Sequence, residues 1–184
     1  MIIKRHRRKR RATRLFNHAS VPGELVQIDT KFLDGRKRYQ YTAIDVVSKW
    51  RYIRAYSQIG AQSTVDFLEK LLTHAVKKGI NTQRIQTDNG LEFQTEPLKY
   101  LEGKNIAHQY TWIHTPDQNG CVERSHKTDD DEFYNLVDTR DLTLEELNTA
   151  LEEWTDYYNS ERLHYSLNFD TPEEYLQKHK VSTI

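Results

Sequence analysis

The feature that most restricts the fold of this chain is a change of hydrophobic period near residue 60. Before it, three segments follow the two-residue rhythm of strands: 25–33 (LVQIDTKFL), 38–47 (RYQYTAIDVV) and 50–57 (WRYIRAYS). Asp34-Gly35 separates the first two, and such a pair favours a tight type I′ turn because it tolerates positive φ. Ser48-Lys49 separates the second from the third. Strands joined this closely form an antiparallel meander. From Ser63 onward the rhythm is helical: Val65, Leu68, Leu72 and Val76 recur on one side, with Ser63 as the expected cap and Gly79 as the stop. A short strand over 83–87 then ends on Asp88. A polar helix follows over 94–103, with Pro97 confined to its first turn, and a strand over 106–113. Thr115 to Gly120 has loop composition, and a helix starting near Gln118–Gly120 runs toward Leu136. Thr143 and Glu146 make a capping box ahead of the stripe Leu144, Leu147, Leu151, Trp154 and Tyr158, and Thr171-Pro172-Glu173-Glu174 starts a last helix. The order predicts an α/β domain. Its mixed five-stranded sheet combines a three-strand antiparallel meander with two parallel strands, and helices cover both faces.

Charge divides the chain differently. The 27 Lys and Arg balance the 27 Asp and Glu, yet residues 1–14 carry a formal +8, residues 15–60 carry +3 and residues 61–184 carry −11. A basic block this dense repels itself and reads either as a solubilising tail or as an arm for a polyanion, in which Arg8, Arg10 and Arg11 would meet phosphates. The expected division is a flexible basic arm over 1–20, a core over 21–142, and a C-terminal helix and tail of the same domain over 143–184. The single cysteine, Cys121, excludes an internal disulfide and a cysteine-rich zinc module, and the eight histidines show no ligand spacing. With no apolar run of about 18–20 residues and no apolar leader, the expectation is a soluble cytoplasmic protein without a membrane partner.

Three carboxylates stand out against this background. Asp29 interrupts an apolar strand, where an acid costs free energy unless it is paired or binds a metal. Asp88 closes a strand and precedes the sharp Asn89-Gly90 turn; Glu123 sits early in a helix behind a glycine-containing loop. On three separate elements at the sheet edge, they could converge on a hard divalent cation such as Mg²⁺, which takes carboxylate oxygens. Each also has an ordinary reading, Asp88 as a turn residue and Glu123 as a complement to the helix dipole. Asp45 and Cys121 are expected to be structural, and Asp129–Asp131 to form a solvated face.

The segments VQIDTKF, TDNGLEF and TPDQNGCVERSHK resemble the three signature blocks of DDE-type polynucleotidyl transferases, the insertion-sequence transposases and retroviral integrases. The tail YNSERLHYSLNFDTPEEYL is similar to the segment that closes catalytic domains of the bacterial insertion-sequence branch. Together the blocks cover residues 22–176, with 34 residues between Asp88 and Glu123. The resemblance implies an RNase H-like fold and a catalytic triad of Asp29, Asp88 and Glu123 holding two Mg²⁺ or Mn²⁺ ions, with no small-molecule cofactor. It implies DNA as the partner, both element ends and target, and a homo-oligomer that holds two ends in a synaptic complex. Cleavage would free a 3′-OH that is then joined to target DNA. By the same resemblance Asn89, Gln118, Asn119, Gly120, Arg124 and Lys127 would lie at the DNA. Arg162 and His164 would either tie the tail to the core or touch DNA. The bacterial branch implies a place at the nucleoid when DNA is bound.

Two other functional readings remain at this point. One is a catalytically silent fragment that binds DNA or a full-length partner, and the other is a nuclease that cuts without joining. The zinc-binding, helix-turn-helix and SH3-like modules that accompany such cores in relatives are not legible in these residues, so end recognition is expected to lie elsewhere.

Overall fold

Strand β1 (Val26–Leu33) pairs antiparallel with β2 (Arg38–Asp45), and β2 pairs antiparallel with β3 (Arg51–Tyr56). This is the expected meander. The computed structural model describes residues 18–33, 37–112 and 118–180; the arm with Arg8, Arg10 and Arg11, and the Asp34-Gly35 turn, lie outside them. Strand β4 (Arg84–Thr87) joins β1 in parallel and β5 (Ala107–Tyr110) joins β4 in parallel, giving the order β3-β2-β1-β4-β5. The first strand of the chain therefore lies at the centre of the sheet. Its residues Val26, Gln27 and Ile28 are buried, and Asp29, Thr30 and Lys31 are half-buried, so β1 emerges from the core at Asp29.

Helix α1 (Ala61–Lys77) covers one face of the sheet through Thr64, Phe67, Leu68, Leu71 and Ala75. This is not the expected stripe: only Leu68 is shared, and Val76 is 71% exposed. Aromatic packing selects the face, because Phe67 lies 5.4 Å from the Tyr41 ring and 5.5 Å from the Tyr52 ring. The helix also begins two residues before Ser63, whose hydroxyl donates to the Gln58 carbonyl instead of capping. Gly79 stops the helix as expected. At φ 77° it lets its own N–H reach the Val76 carbonyl and the Ile80 N–H reach the Ala75 carbonyl, both at 2.9 Å.

A 3₁₀ turn (Leu91–Phe93) leads into α2 (Glu96–Gly103), which joins the same core. Helix α3 (Gly120–Asp129) continues into a π turn (Asp130–Tyr134), and α4 (Leu144–Ser160) and α5 (Pro172–Lys180) follow. The expected capping box forms at Thr143, and a second is found at Thr171. The Thr143 hydroxyl accepts from Glu146 N–H at 3.2 Å while the Glu146 carboxylate accepts from Thr143 N–H at 2.8 Å, and Thr171 and Glu174 repeat the pattern. The stripe of α4 packs with Leu33, Ile53, Ala55 and Phe133 in a second core, so helices cover both faces of the sheet.

A buried ionic network ties α3, α4 and the meander together. The Asp129 carboxylate accepts from Arg51 Nη1 at 2.7 Å, Trp154 Nε1 at 2.8 Å and Gln40 Nε2 at 2.8 Å. Arg51 is fully buried, its guanidinium 3.5 Å from the Tyr158 ring centre and 5.0 Å from that of Trp154. The expected solvated face is thus corrected in part: Asp130 and Asp131 are exposed and Asp129 is buried. Successive helical residues point about 100° apart, so three adjacent acids cannot share one environment. Asp45 is structural as expected. It is buried and accepts from Gly23 N–H at 2.7 Å and from Ser48 N–H at 2.6 Å.

His164, between α4 and α5, is also buried. Burial, helped by the Arg162 charge, pushes its imidazole down to about 4 from 6.5. The unfolded chain then binds a proton that the folded protein does not, so the stability held above about pH 6.5 declines as the pH falls toward 4. A thermal melt series is expected to show a falling Tm over that window, and a smaller fall in His164→Gln.

Candidate active site

The parallel pairing of β1 with β4 sets the site. Val26 faces Ile85 and Gln27 faces Gln86, so two residues further along each strand the same register carries Asp29 beside Asp88. Asp88 stands just past the carboxyl end of β4, where α/β sheets open toward ligands, and Asp29 lies beside it midway along β1. The turn after β4 is fastened at two points: Asp88 Oδ1 accepts from Gly90 N–H at 2.9 Å, and Asn89 Nδ2 donates to the Thr111 carbonyl at 3.0 Å. Gly90 lacks a side chain for a spatial reason. A Cβ there would stand 2.5 Å from Glu92 Oε2 and 3.0 Å from Asp88 Oδ1. The bare backbone thus lets Glu92 fold across the turn beside Asp88, where its Oε1 accepts from the Thr30 hydroxyl at 3.0 Å.

Helix α3 lies along the odd-numbered face of β1, held at its start by Gln27 and just past its end by Lys31. Gln27 Oε1 accepts from the N–H groups of Cys121 and Val122 at 3.1 and 3.3 Å, satisfying donors in the first turn of α3. Asp29 Oδ2 lies 3.7 Å from His126 Nδ1, and Lys31 pairs with Asp130 while its ammonium sits 4.6 Å from the Tyr134 ring centre. Glu123 projects from the first turn of this helix and is exposed.

The charges of these acids act on Asp29. Burial pushes the Asp29 carboxyl up to about 7, and the negative charges of Asp88, Glu123 and Glu92 push in the same direction against the Thr30 N–H that bonds it. His126 does not offset this charge, since burial lowers its own imidazole to about 4 and leaves it neutral near pH 7. Four carboxylates therefore share one edge of the sheet. Among the described residues no three acids, histidines or cysteines are grouped closely enough to hold a metal ion. The donor set itself fits a hard divalent cation: it is all oxygen, and a positive ion would relieve the mutual repulsion felt by Asp29.

The other expected site residues fall into two groups. Gly120, Arg124 and Lys127 are exposed on α3 near Glu123. Gln118 and Asn119 are buried, and the Gln118 carbonyl accepts from Gln27 Nε2 at 2.7 Å and Gln86 Nε2 at 2.6 Å. Gln118 thus anchors the start of α3 to the sheet, while the Asn119 carbonyl accepts from Glu123 N–H at 3.1 Å within the helix. Arg162 ties the tail to the core through both Glu132 oxygens, at 2.5 and 2.7 Å. Cys121 accepts from Lys49 Nζ at 3.2 Å. Sequence reasoning missed Glu92 and His126. Their signals are spacings, since Glu92 follows Asp88 by four residues inside TDNGLEF and His126 follows Glu123 by three on one helix face.

Residues 19–116, just over half of the chain, match a family model described as the integrase core domain, and residues 104–172 match another with the same description. The chain belongs to the integrase core domain family. A protein named as an ORF3 integrase of Spiroplasma virus SpV1-C74 is 31% identical to it over 163 residues, which are 81% of this chain and 44% of that relative. This integrase core therefore spans less than half the length of that relative. Among solved structures, a chain of the simian T-cell lymphotropic virus intasome complex superposes with a TM-score of 0.74 at 15% identity, over 86% of this chain and 56% of that one. The catalytic core domain of BIV integrase gives 0.68 at 18% identity, over 88% and 99%. That of HTLV-2 integrase, in complex with magnesium, gives 0.68 at 16% identity, over 86% and 99%. The sheet of this integrase core, with its strand order and flanking helices, is thus the RNase H-like fold of those catalytic cores.

Proposed function

We propose that this integrase core is the catalytic domain of a metal-dependent DNA transposase or integrase. The carrying observation is the register that sets Asp29 beside Asp88, with Glu123 close enough for its charge to act on Asp29. In this reading Asp29, Asp88 and Glu123 would hold two Mg²⁺ or Mn²⁺ ions, which when bound would activate the attacking oxygen and stabilise the leaving 3′-oxygen. A water first breaks the phosphodiester at an element end, freeing a 3′-OH. That hydroxyl then attacks a target phosphodiester in line, forming one P–O bond as another breaks. The chain's own part is positioning. The Gly90 turn aims Asp88, the Thr30 N–H bonds Asp29, and Gln27 and Gln118 fix the start of the helix that carries Glu123. Gly120, Arg124 and Lys127 face the DNA, and a phosphate contact suits the two cations. Asn89 would orient Asp88 by holding its turn to Thr111. The magnesium of the HTLV-2 core and the dimeric form of that protein support metal use and a homo-oligomer that holds two ends together. No helix among the described residues is long and apolar enough to cross a membrane, which accords with work on DNA in the cytoplasm or at the nucleoid.

The test incubates the protein with Mg²⁺ or Mn²⁺ and labelled element-end DNA beside Asp88→Asn. Wild type is expected to nick and join and the variant to do neither. The same absence of product from both would overturn the enzyme reading, and nicking without a product that requires a 3′-OH donor would leave a plain nuclease. The arm adds a separate expectation. Deleting residues 1–14 removes eight positive charges, so DNA affinity should fall steeply and its salt dependence become shallower. A titration across salt concentrations measures both, and unchanged affinity and slope would show that the arm makes no phosphate contact.

A further inference from the structure

A groove of about 930 Å³ runs along α3, and none of the four carboxylates lines it. One wall is α3, presenting Cys121, Arg124 and Thr128; the other is the loop between α4 and α5. That loop is a closed frame. His164 N–H donates to the Asp170 carbonyl at 3.1 Å, Phe169 N–H donates to the His164 carbonyl at 2.9 Å, and Leu167 anchors it in the core. On this frame Tyr165 is 84% exposed and Phe169 62%, their rings edge to face at 5.6 Å. Phe169 is held at φ 66° and Asn168 at φ 56°, a left-handed backbone that a bulky aromatic rarely adopts. Beside them His164 lines the groove, buried, its Nε2 without a partner among the described residues.

The charge of the groove is distinctive for its part of the chain. Arg124, Lys127 and Arg162, from the segment 61–184 with its net −11, line it together with Lys49 against the single acid Asp131. Arg124 and Lys127 make no ion pair among the described residues, whereas Arg162 is oriented by Glu132. Lys127 stands only about 40° around the helix from Glu123. It therefore occupies the lip shared by the groove and the carboxylate edge.

Cations that can follow a phosphate backbone, next to exposed aromatic faces on a rigid frame, form the chemistry that receives unpaired nucleotides. A blunt duplex keeps all but its terminal base-pair faces stacked and offers Tyr165 and Phe169 far less than an unpaired strand does. We propose that this groove holds an unpaired DNA strand, with its phosphates along Arg124 and Lys127 and its bases stacked on Tyr165 and Phe169. The proposal rests on the polynucleotidyl-transferase reading and names a feature of its substrate. The lip at Lys127 would pass the strand from the carboxylates into the groove, which suits DNA frayed or tailed at the reacting end.

Fluorescence anisotropy of the full chain with a labelled blunt duplex, and with the same duplex carrying an unpaired tail, tests it. Wild type is expected to prefer the tailed DNA. Tyr165→Ala with Phe169→Ala should lose about tenfold in affinity for the tailed DNA and nothing for the blunt one. Tyr165→Trp, which keeps a stacking face, should retain the preference; melting curves check that these exposed substitutions leave the fold intact. Equal losses on both DNAs, or no loss on either, would overturn the proposal. So would dissociation of a wild-type dimer by the Ala substitutions with tail binding unchanged, since the loop would then be a contact between copies. Nicking of blunt DNA without tail preference removes this inference alone. Wild type that neither binds nor nicks any DNA removes the parent reading with it.

Discussion

Asp129→Ala is expected to destabilise the fold by about 3–5 kcal/mol, because it leaves the fully buried Arg51 guanidinium without its carboxylate. Trp154 Nε1 and Gln40 Nε2 lose an acceptor in the same step, and neither is replaced by water at a site this enclosed. For a domain of this size that corresponds to a Tm lower by roughly 6–20 °C. Guanidinium unfolding measures it as a reduced midpoint. The control is paired removal: Arg51→Met with Asp129→Leu should recover much of the loss, because an apolar pair needs no desolvation of charge. A double-mutant cycle in which the two losses simply add would show that Arg51 and Asp129 are not coupled. The network sits directly behind α3, joining it to β2, β3 and α4. Its loss should therefore loosen the helix that carries Glu123 before the whole domain unfolds.

Much of this architecture can be read from local pattern, and the failures are equally local in origin. The meander strands, the Thr143 capping box, the Thr171 helix start and Gly79 each depend on neighbours within a few residues, and each is found where the sequence places it. The buried face of α1 depends instead on Tyr41 and Tyr52 from two other strands, so helical spacing alone selected the wrong side. Asp129 looked like its acidic neighbours because nothing in its own segment announces Arg51, 78 residues away. The carboxylates differ again. Asp29 and Asp88 each have an ordinary local explanation, and what unites them is the parallel pairing of β1 with β4, a contact between distant segments. Glu92 escaped notice because its relation to Asp88 runs through the bare backbone of Gly90.

Asp29→Asn, Asp88→Asn and Glu123→Gln are each expected to lower metal-dependent DNA cleavage by about 10³–10⁴-fold, and pairs of them little further, as for groups that act as one unit. The fold should not suffer. In the protein without metal, Asp29 is opposed by burial and by three negative neighbours, so Asn there removes a repulsion and should leave the Tm unchanged or higher. Divalent ions separate the roles further. Mg²⁺ or Mn²⁺ should raise the Tm of wild type, because a ligand that binds only the folded state stabilises it, and should raise that of Asp88→Asn less or not at all. Gly90→Ala makes a graded case. Its Cβ meets the far end of the Glu92 side chain and Asp88 Oδ1, so it displaces the carboxylates without removing any. Misplacement on that scale should cost up to about 10²-fold in rate, less than losing a ligand. If the three carboxylate variants kept wild-type cleavage while Gly90→Ala lost it, the turn would matter for DNA contact and the triad assignment would fall.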